Sequence, residues 1–177
     1  MIVRAAVVAI SALAVAGAGR AADVGRPGCR TADFSIAVGF QISPATGENP
    51  LTLRMKNRGP RACVLFGYPA VSLADRRGVI PFAIWHGGDQ MVTARRPAEV
   101  LVRPGRSAFV LLNKFRCDLG EIRLARTLRL GFPRDTSRRL SLVLPRYPRI
   151  SYCRGDFRTK VTASPFEPTL AAAMKSH

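Results

Sequence analysis

Apolar and polar residues alternate in short runs along most of the chain. Phe34, Ile36 and Val38 share one face of such a run, with polar or small residues between them. Because successive side chains of a strand point to opposite faces of a sheet, this period of two predicts half-buried β-strands. Comparable apolar runs lie at residues 51–55, 71–73, 79–85, 100–102, 108–112, 128–132, 140–144 and 157–161.

Turn signals separate these runs. Segments rich in Pro, Gly, Asn and Asp lie at residues 44–47, 57–60, 75–78, 103–105, 133–137 and 145–148. Eight or nine short strands at this spacing are typical of an antiparallel sandwich or barrel. The 13 prolines argue against long helices, and the helical pattern at residues 170–174 is interpreted as a frayed tail. We therefore predict one all-β domain, a single antiparallel β-sandwich.

The N-terminus has the layout of a secretory signal peptide. A short basic start, residues 1–4, precedes an uncharged, mostly apolar stretch at 5–19, and small residues flank Arg20. That stretch is shorter than the roughly 20 residues that span a bilayer, although retention as a membrane anchor is the alternative. Because the residues before Cys29 are basic and rigid, we reject lipid attachment there. The mature protein is expected outside the cytoplasm, without a transmembrane span.

These boundaries divide the chain into four parts. They are a signal peptide at residues 1–21, a short N-terminal segment at 22–28, the β-sandwich domain at 29–166 and a C-terminal tail at 167–177.

The four cysteines, Cys29, Cys63, Cys117 and Cys153, all follow the signal peptide. An even number of cysteines in an exported chain indicates two disulfides, and three pairings are open. We favour Cys29–Cys63, which would fix the N-terminus to the domain, and Cys117–Cys153, which would bridge two late loops. Zinc ligands usually occur in close pairs, so the wide spacing here argues against a metal site. It also argues against a catalytic thiol.

Residues 63–69 fit the pattern Cys-x-Leu-x-Gly-Tyr-Pro, and residues 100–108 fit Val-x-x-x-Pro-Gly-x-x-Ala. With the cysteine positions, these motifs resemble the bacterial domain-of-unknown-function family 4232 over residues 29–165. The resemblance implies an immunoglobulin-like β-sandwich in the cell envelope or beyond it. It implies no activity and no catalytic residues. The motif itself is interpreted as architecture, because Gly67 permits a positive φ and Pro69 fixes the backbone after Tyr68.

The best candidate site is the segment from Trp85 to Asp89. Trp85, His86 and Asp89 could hold a ligand around a flexible glycine pair, whereas the structural alternative is a hairpin end. The sequence contains no Gly-x-Ser-x-Gly elbow, phosphate-binding loop or His-Glu-x-x-His motif, so we predict neither an enzyme nor a cofactor. The alternative is an uncharacterised envelope hydrolase built on converging carboxylates. A cleft joining His86 to two carboxylates would favour it.

The chain is strongly basic, with 28 Lys and Arg against 11 Asp and Glu and a formal charge of +17. Such a charge attracts polyanions and anionic membrane surfaces. Nucleic acid is not expected as a partner, because the chain is predicted to be exported. Aromatic residues are also not interleaved with the arginines, as base stacking would require. Arg138 and Arg139, in a predicted loop, are candidate ligand-binding residues. The alternative is that the arginines form only a solvated surface and reflect GC-rich coding. Convergence of the arginines on one surface would favour binding over this alternative.

Together these features predict a secreted or envelope-associated, non-catalytic binding domain. Its expected partner is an anionic envelope component, such as an anionic glycan or phospholipid, or another extracytoplasmic protein. A purely structural secreted protein is the third hypothesis.

Overall fold

The computed structural model of the protein describes residues 26–40, 42–117, 122–147, 149–153 and 159–176. The predicted signal peptide lies outside the described residues, as does His177.

The domain is built from two main sheets and two short ribbons. The five-stranded sheet has the order β1-β2-β8-β13-β6, and the four-stranded sheet has the order β11-β10-β4-β5. The ribbons pair β3 with β7 and β9 with β12. The strands are β1 (Phe34–Val38), β2 (Leu51–Asn57), β3 (Cys63–Leu65), β4 (Ala70–Asp75), β5 (Gly78–Ile80), β6 (Ala83–His86), β7 (Val100–Val102), β8 (Ser107–Asn113), β9 (Arg123–Leu124), β10 (Thr127–Phe132), β11 (Asp135–Val143), β12 (Ser151–Tyr152) and β13 (Lys160–Ala163).

The core lies between the two main sheets, as the alternation of apolar residues predicts. Leu51, Leu53 and Met55 of β2 are fully buried and belong to one cluster with Leu128 and Leu130 of β10. The prediction of an immunoglobulin-like β-sandwich is confirmed. All named strand pairs are antiparallel except β13 with β6, which run parallel.

Both predicted disulfides are present, Cys29–Cys63 and Cys117–Cys153. The Cys29–Cys63 disulfide lies in the core, since both cysteines are buried in the main apolar cluster. Gly67, in the motif that follows Cys63, has a φ of 91°, as its position in a turn of the backbone requires.

The continuous apolar run at residues 79–85 is not one strand, contrary to the prediction. It divides into β5 and β6, because Pro81 has no N–H to donate to a ladder and the N–H of Phe82 turns back to the carbonyl of Ile80 at 2.8 Å. The chain passes here from the four-stranded sheet to the five-stranded sheet.

Arg138 and Arg139 do not lie in a loop, so that prediction is wrong. β11 begins at Asp135, directly after a tight turn, and carries both arginines in its middle. β11 is the edge strand of its sheet, and both arginines are exposed there although neighbours in a strand point to opposite faces.

The C-terminal segment is packed, contrary to the expectation of a frayed tail. It contains α1 (Leu170–Ala173), whose first turn is capped by the Thr169 hydroxyl, which accepts from the N–H of Ala172. Ala173 is buried in a second small cluster with Leu111 of β8, on the outer face of the five-stranded sheet. In the part of the chain that the structure describes, no helix is long and apolar enough to cross a membrane.

Candidate functional site

The segment after β6 is a turn held by its own backbone. Gly87 and Gly88 have φ values of 67° and 66°, and their N–H groups donate to the carbonyls of Ala163 and Thr93. Asp89 closes the turn, because its Oδ1 accepts from the N–H groups of both Met91 and Val92 at 2.7 Å. The glycines and Asp89 therefore have a structural role in this turn.

Trp85 and His86 point to opposite faces of β6, as neighbours in a strand do. The Trp85 ring is exposed, and the Nζ of Lys160 lies 4.1 Å from its centroid. The His86 ring stacks on Tyr68, with the ring centroids 4.3 Å apart. The structure therefore does not bring Trp85 and His86 together around one ligand.

A cleft of about 340 Å³ lies beside this turn. It is lined by Glu48, Asp89, Gln90, Asn113, Phe115, Lys160 and Thr162. The buried amide of Asn113 donates to Glu48 Oε2 at 2.7 Å and to Asp89 Oδ2 at 2.9 Å. The pKa of Glu48 is raised above 4.5, mainly because the carboxyl group is buried. The hydrogen bond from Asn113 lowers this pKa, and the nearby charge of Asp89 raises it further.

A cleft that joins His86 to two carboxylates would favour an enzyme, and this carboxylate cleft fits that description only in part. It joins two carboxylates, but His86 is not among its lining residues and stacks on Tyr68 instead. Among the described residues, no group of three or more His, Cys, Asp and Glu side chains could hold a metal ion. Glu48 was missed by the sequence analysis, because it lies in a loop and belongs to no recognisable motif.

Arginines line two further clefts that adjoin each other. The larger, of about 440 Å³, is lined by Leu124, Ala125, Arg126, Leu144, Pro145, Arg146, Tyr147 and Arg149. The smaller, of about 280 Å³, is lined by Asp75, Arg76, Arg77, Ile122, Arg123, Leu124 and Arg126. Because Leu124 and Arg126 belong to both, the clefts form one continuous surface, which we call the arginine end.

Sheet topology explains why these residues meet. β4 ends, β10 begins and β11 ends at the same end of the four-stranded sheet, since neighbouring strands are antiparallel. The N–H of Arg126 donates to the carbonyl of Ala74 at 2.7 Å, and the N–H of Leu144 donates to the carbonyl of Arg126 at 2.9 Å. The loops that follow β4 and β11 are therefore held on either side of Arg126.

One ion pair organises the smaller cleft. Arg123 grips Asp75 with two donors, Nε to Oδ2 at 2.8 Å and Nη2 to Oδ1 at 2.6 Å, and it also donates to the carbonyls of Gly78 and Val79. The hydrogen bond from Arg123 is the main cause that lowers the pKa of Asp75 to about 2. This pair compensates one positive charge, while Arg76, Arg77 and the other exposed arginines keep the surface basic.

Arg138 and Arg139 line neither arginine cleft. Arg139 precedes Val143, the last residue of β11, by four positions, which corresponds to about 13 Å along a strand. The arginines that the structure gathers come from three separate segments, and no local motif in the sequence marks them.

A protein family described as "Domain of unknown function (DUF4232)" matches residues 29–167 of the chain. The match confirms the resemblance on which the immunoglobulin-like fold was predicted. A comparison with curated proteins and a comparison with solved structures each found no match.

Proposed function

Because the chain belongs to the DUF4232 family, whose description names no activity, we propose a function from the site itself. The domain is a non-catalytic binding module that holds an anionic component of the cell envelope at its arginine end. The observation that carries this proposal is the convergence of arginines from three segments on two adjoining clefts.

Arginine side chains suit this role. A guanidinium group is always charged and presents donors in a planar fork that matches phosphate and carboxylate groups, which lysine cannot do. Arg126 is placed to contribute to both clefts, and exposed Arg146 and Arg77 stand on either side of it. An extended anion with several phosphate or carboxylate groups can therefore contact both clefts at once.

The envelope location is part of the proposal. Two disulfides fit an oxidising compartment, and the first 22 residues have the pattern of a cleavable signal peptide. N-terminal sequencing of the exported protein should give a first residue between Gly19 and Asp23. Exported protein that begins at Met1 would contradict cleavage.

The binding proposal is tested with inorganic polyphosphate, a soluble anion without apolar groups. The double variant Arg126→Gln, Arg146→Gln should weaken binding roughly tenfold or more, since hydrogen bonds to charged groups are worth well over 1 kcal/mol each. The variant Arg138→Gln, Arg139→Gln removes the same charge from the middle of β11 and is the matched control.

Wild-type affinity should fall steeply between about 0.1 M and 1 M salt, as the Debye length shrinks from about 10 Å to about 3 Å. Equal losses in the two double variants would mean that net charge, and not the arginine end, attracts the anion. No binding by the wild type would favour the hypothesis of a purely structural protein.

An envelope hydrolase is the second candidate, and the Glu48–Asp89 pair is the observation in its favour. A carboxyl group with a raised pKa beside a second carboxylate is a common acid–base arrangement. However, both oxygens of Asp89 already accept hydrogen bonds, one from the Asn113 amide and one from the turn N–H groups. Hydrolysis of aryl glycosides or aryl esters that disappears in Glu48→Gln would establish this candidate instead.

A further inference from the structure

Large apolar side chains are exposed around the arginine end. Tyr147, in the larger cleft, is 65% exposed, and Ile122, in the smaller cleft, is 51% exposed. Val79 is 62% exposed, and its carbonyl accepts from Arg123 of the same cleft. Val143, which directly precedes the larger cleft, is 80% exposed. The surface therefore presents aliphatic and aromatic groups as well as cations.

Strand register aligns two of these residues. Val79 of β5 pairs with Ala74 of β4, Ala74 pairs with Thr127 of β10, and Thr127 pairs with Val143 of β11. Residues paired directly across a sheet point to the same face. The four residues thus form one row across the outer face of the four-stranded sheet, beside the arginine end.

We infer that the anionic partner is a lipid surface, with the arginines on headgroup phosphates and the exposed apolar side chains in the interfacial layer. This inference rests on the proposed function and names the ligand class of the same site. Interfacial binding combines electrostatic attraction to anionic lipids with burial of apolar area, and the arginine end offers both. Tyrosine is also enriched at membrane interfaces, where its ring is buried and its hydroxyl stays hydrated.

A soluble anionic polymer accounts for the arginines of this surface but not for its exposed apolar side chains. It would satisfy the arginines, but it offers no apolar phase for Ile122, Val79 and Val143, which would stay exposed to water in the complex. Exposed apolar residues that form a patch with a polar rim are a usual mark of an interaction surface. A lipid surface is the ligand that satisfies the charges and the apolar groups together.

The expected losses of lipid binding follow from what charged and apolar groups contribute to binding at a membrane interface. Each arginine near an anionic membrane should contribute about fivefold to binding. Each CH₂ group that enters the hydrocarbon boundary should contribute about fourfold. Removing the side chains of Val79 and Val143 should therefore weaken lipid binding by more than tenfold, even though no charge is lost.

The experiment compares three variants on vesicles and on inorganic polyphosphate. The vesicles contain phosphatidylglycerol and phosphatidylcholine in equal parts, or phosphatidylcholine alone. We expect Val79→Ser, Val143→Ser to lose binding to the anionic vesicles but to keep its affinity for polyphosphate, because neither valine lines an arginine cleft. The variant Arg126→Gln, Arg146→Gln should lose binding to the anionic vesicles and to polyphosphate.

The matched control for the apolar change is Phe66→Ser. Phe66 is also exposed, but its neighbour Gly67 lies against Pro133, in the β10–β11 turn at the opposite end of the four-stranded sheet. Phe66→Ser should bind anionic vesicles like the wild type, and no protein should bind phosphatidylcholine alone.

A second measurement does not depend on loss of binding. In the variant Trp85→Phe, Ile122→Trp, the new tryptophan should shift its emission to the blue on anionic vesicles and be quenched by brominated lipid. Unchanged emission despite vesicle binding would overturn the inference. Equal losses of vesicle binding in Phe66→Ser and in Val79→Ser, Val143→Ser would do the same.

The two proposals fail in different ways. A wild-type protein that binds polyphosphate but not anionic vesicles would overturn the lipid inference, leave the anion-binding function standing and indicate a soluble anionic polymer, such as a glycan. A protein that binds neither would overturn both.

Discussion

The substitution Asp75→Asn should strengthen anion binding, although it removes half of an ion pair. Asp75 holds Arg123 in a two-donor fork at the rim of the smaller arginine cleft, and its pKa of about 2 keeps it charged throughout the physiological range. Asparagine has a similar shape and can still accept from the N–H of Arg77, which bonds Asp75 Oδ1 at 2.7 Å. The turn is therefore expected to keep its shape while Arg123 loses its counter-charge.

The size of the effect follows from Coulomb's law. An anion bound beside Arg126 loses its repulsion from the carboxylate of Asp75, which lines the same cleft. Two unit charges about 4–8 Å apart interact by about 0.5–1 kcal/mol in water, so the affinity should rise about two- to fivefold. The gain should be largest at low salt and should shrink as salt screens the charges.

Asp135→Asn is the matched control for this prediction. Asp135 also has a pKa lowered to about 2, mainly by a hydrogen bond from Ser137, and its loss changes the net charge equally. It lies at the start of β11, at the end of the sheet away from the arginine end. Titration of labelled polyphosphate with each variant measures the difference. An unchanged or weaker affinity in Asp75→Asn, or an equal gain in Asp135→Asn, would refute the reasoning.

Two further predictions concern stability and the cysteines. Replacing Cys29 and Cys63 by alanine opens a loop of 34 residues and should cost about 4 kcal/mol of unfolding free energy in urea titrations, without changing polyphosphate affinity in the protein that stays folded. Replacing Cys117 and Cys153 should cost a similar amount and should also weaken binding. Because burial raises the pKa of Glu48 in the folded protein, the wild type should gain stability as the pH falls from that raised pKa towards 4.5. Glu48→Gln should reduce this gain, as unfolding free energies at neutral and mildly acidic pH will show.

The sequence predicted the fold because the fold depends on local alternation. The residues of β2 and β10 that were assigned to one face are buried in the core, and their neighbours Arg54 and Arg129 are exposed. The predictions that failed involve tertiary context. Pro81 divides an apolar run between two sheets, and β11, at the edge of its sheet, carries two adjacent exposed arginines where a loop was predicted. Neither effect can be recognised from composition alone.

The candidate site was less accessible from the sequence. The segment from Trp85 to Asp89 stood out because its residue types are chemically versatile, yet the structure uses most of them in a turn and a ring stack. The arginine end has no such local mark. Its members are distant in sequence, and only the antiparallel register of β4, β10 and β11 places Arg77, Arg126 and Arg146 on one surface.

The second disulfide links the predicted framework to this unpredicted surface. The ribbon of β9 and β12, which carries Leu124 at the junction of the two clefts, has only two residues in each strand, and so short a ribbon is not stable by itself. Cys153 directly follows β12 and is bonded to Cys117, while the ring of Tyr152 packs edge-on against Phe82. These two contacts, together with the ion pair from Arg123 of β9 to Asp75, hold the ribbon against the sandwich. Loss of Cys117–Cys153 should therefore affect the clefts directly, whereas Cys29–Cys63 lies in the core near the other end of the four-stranded sheet, where Gly28 lies against Arg134.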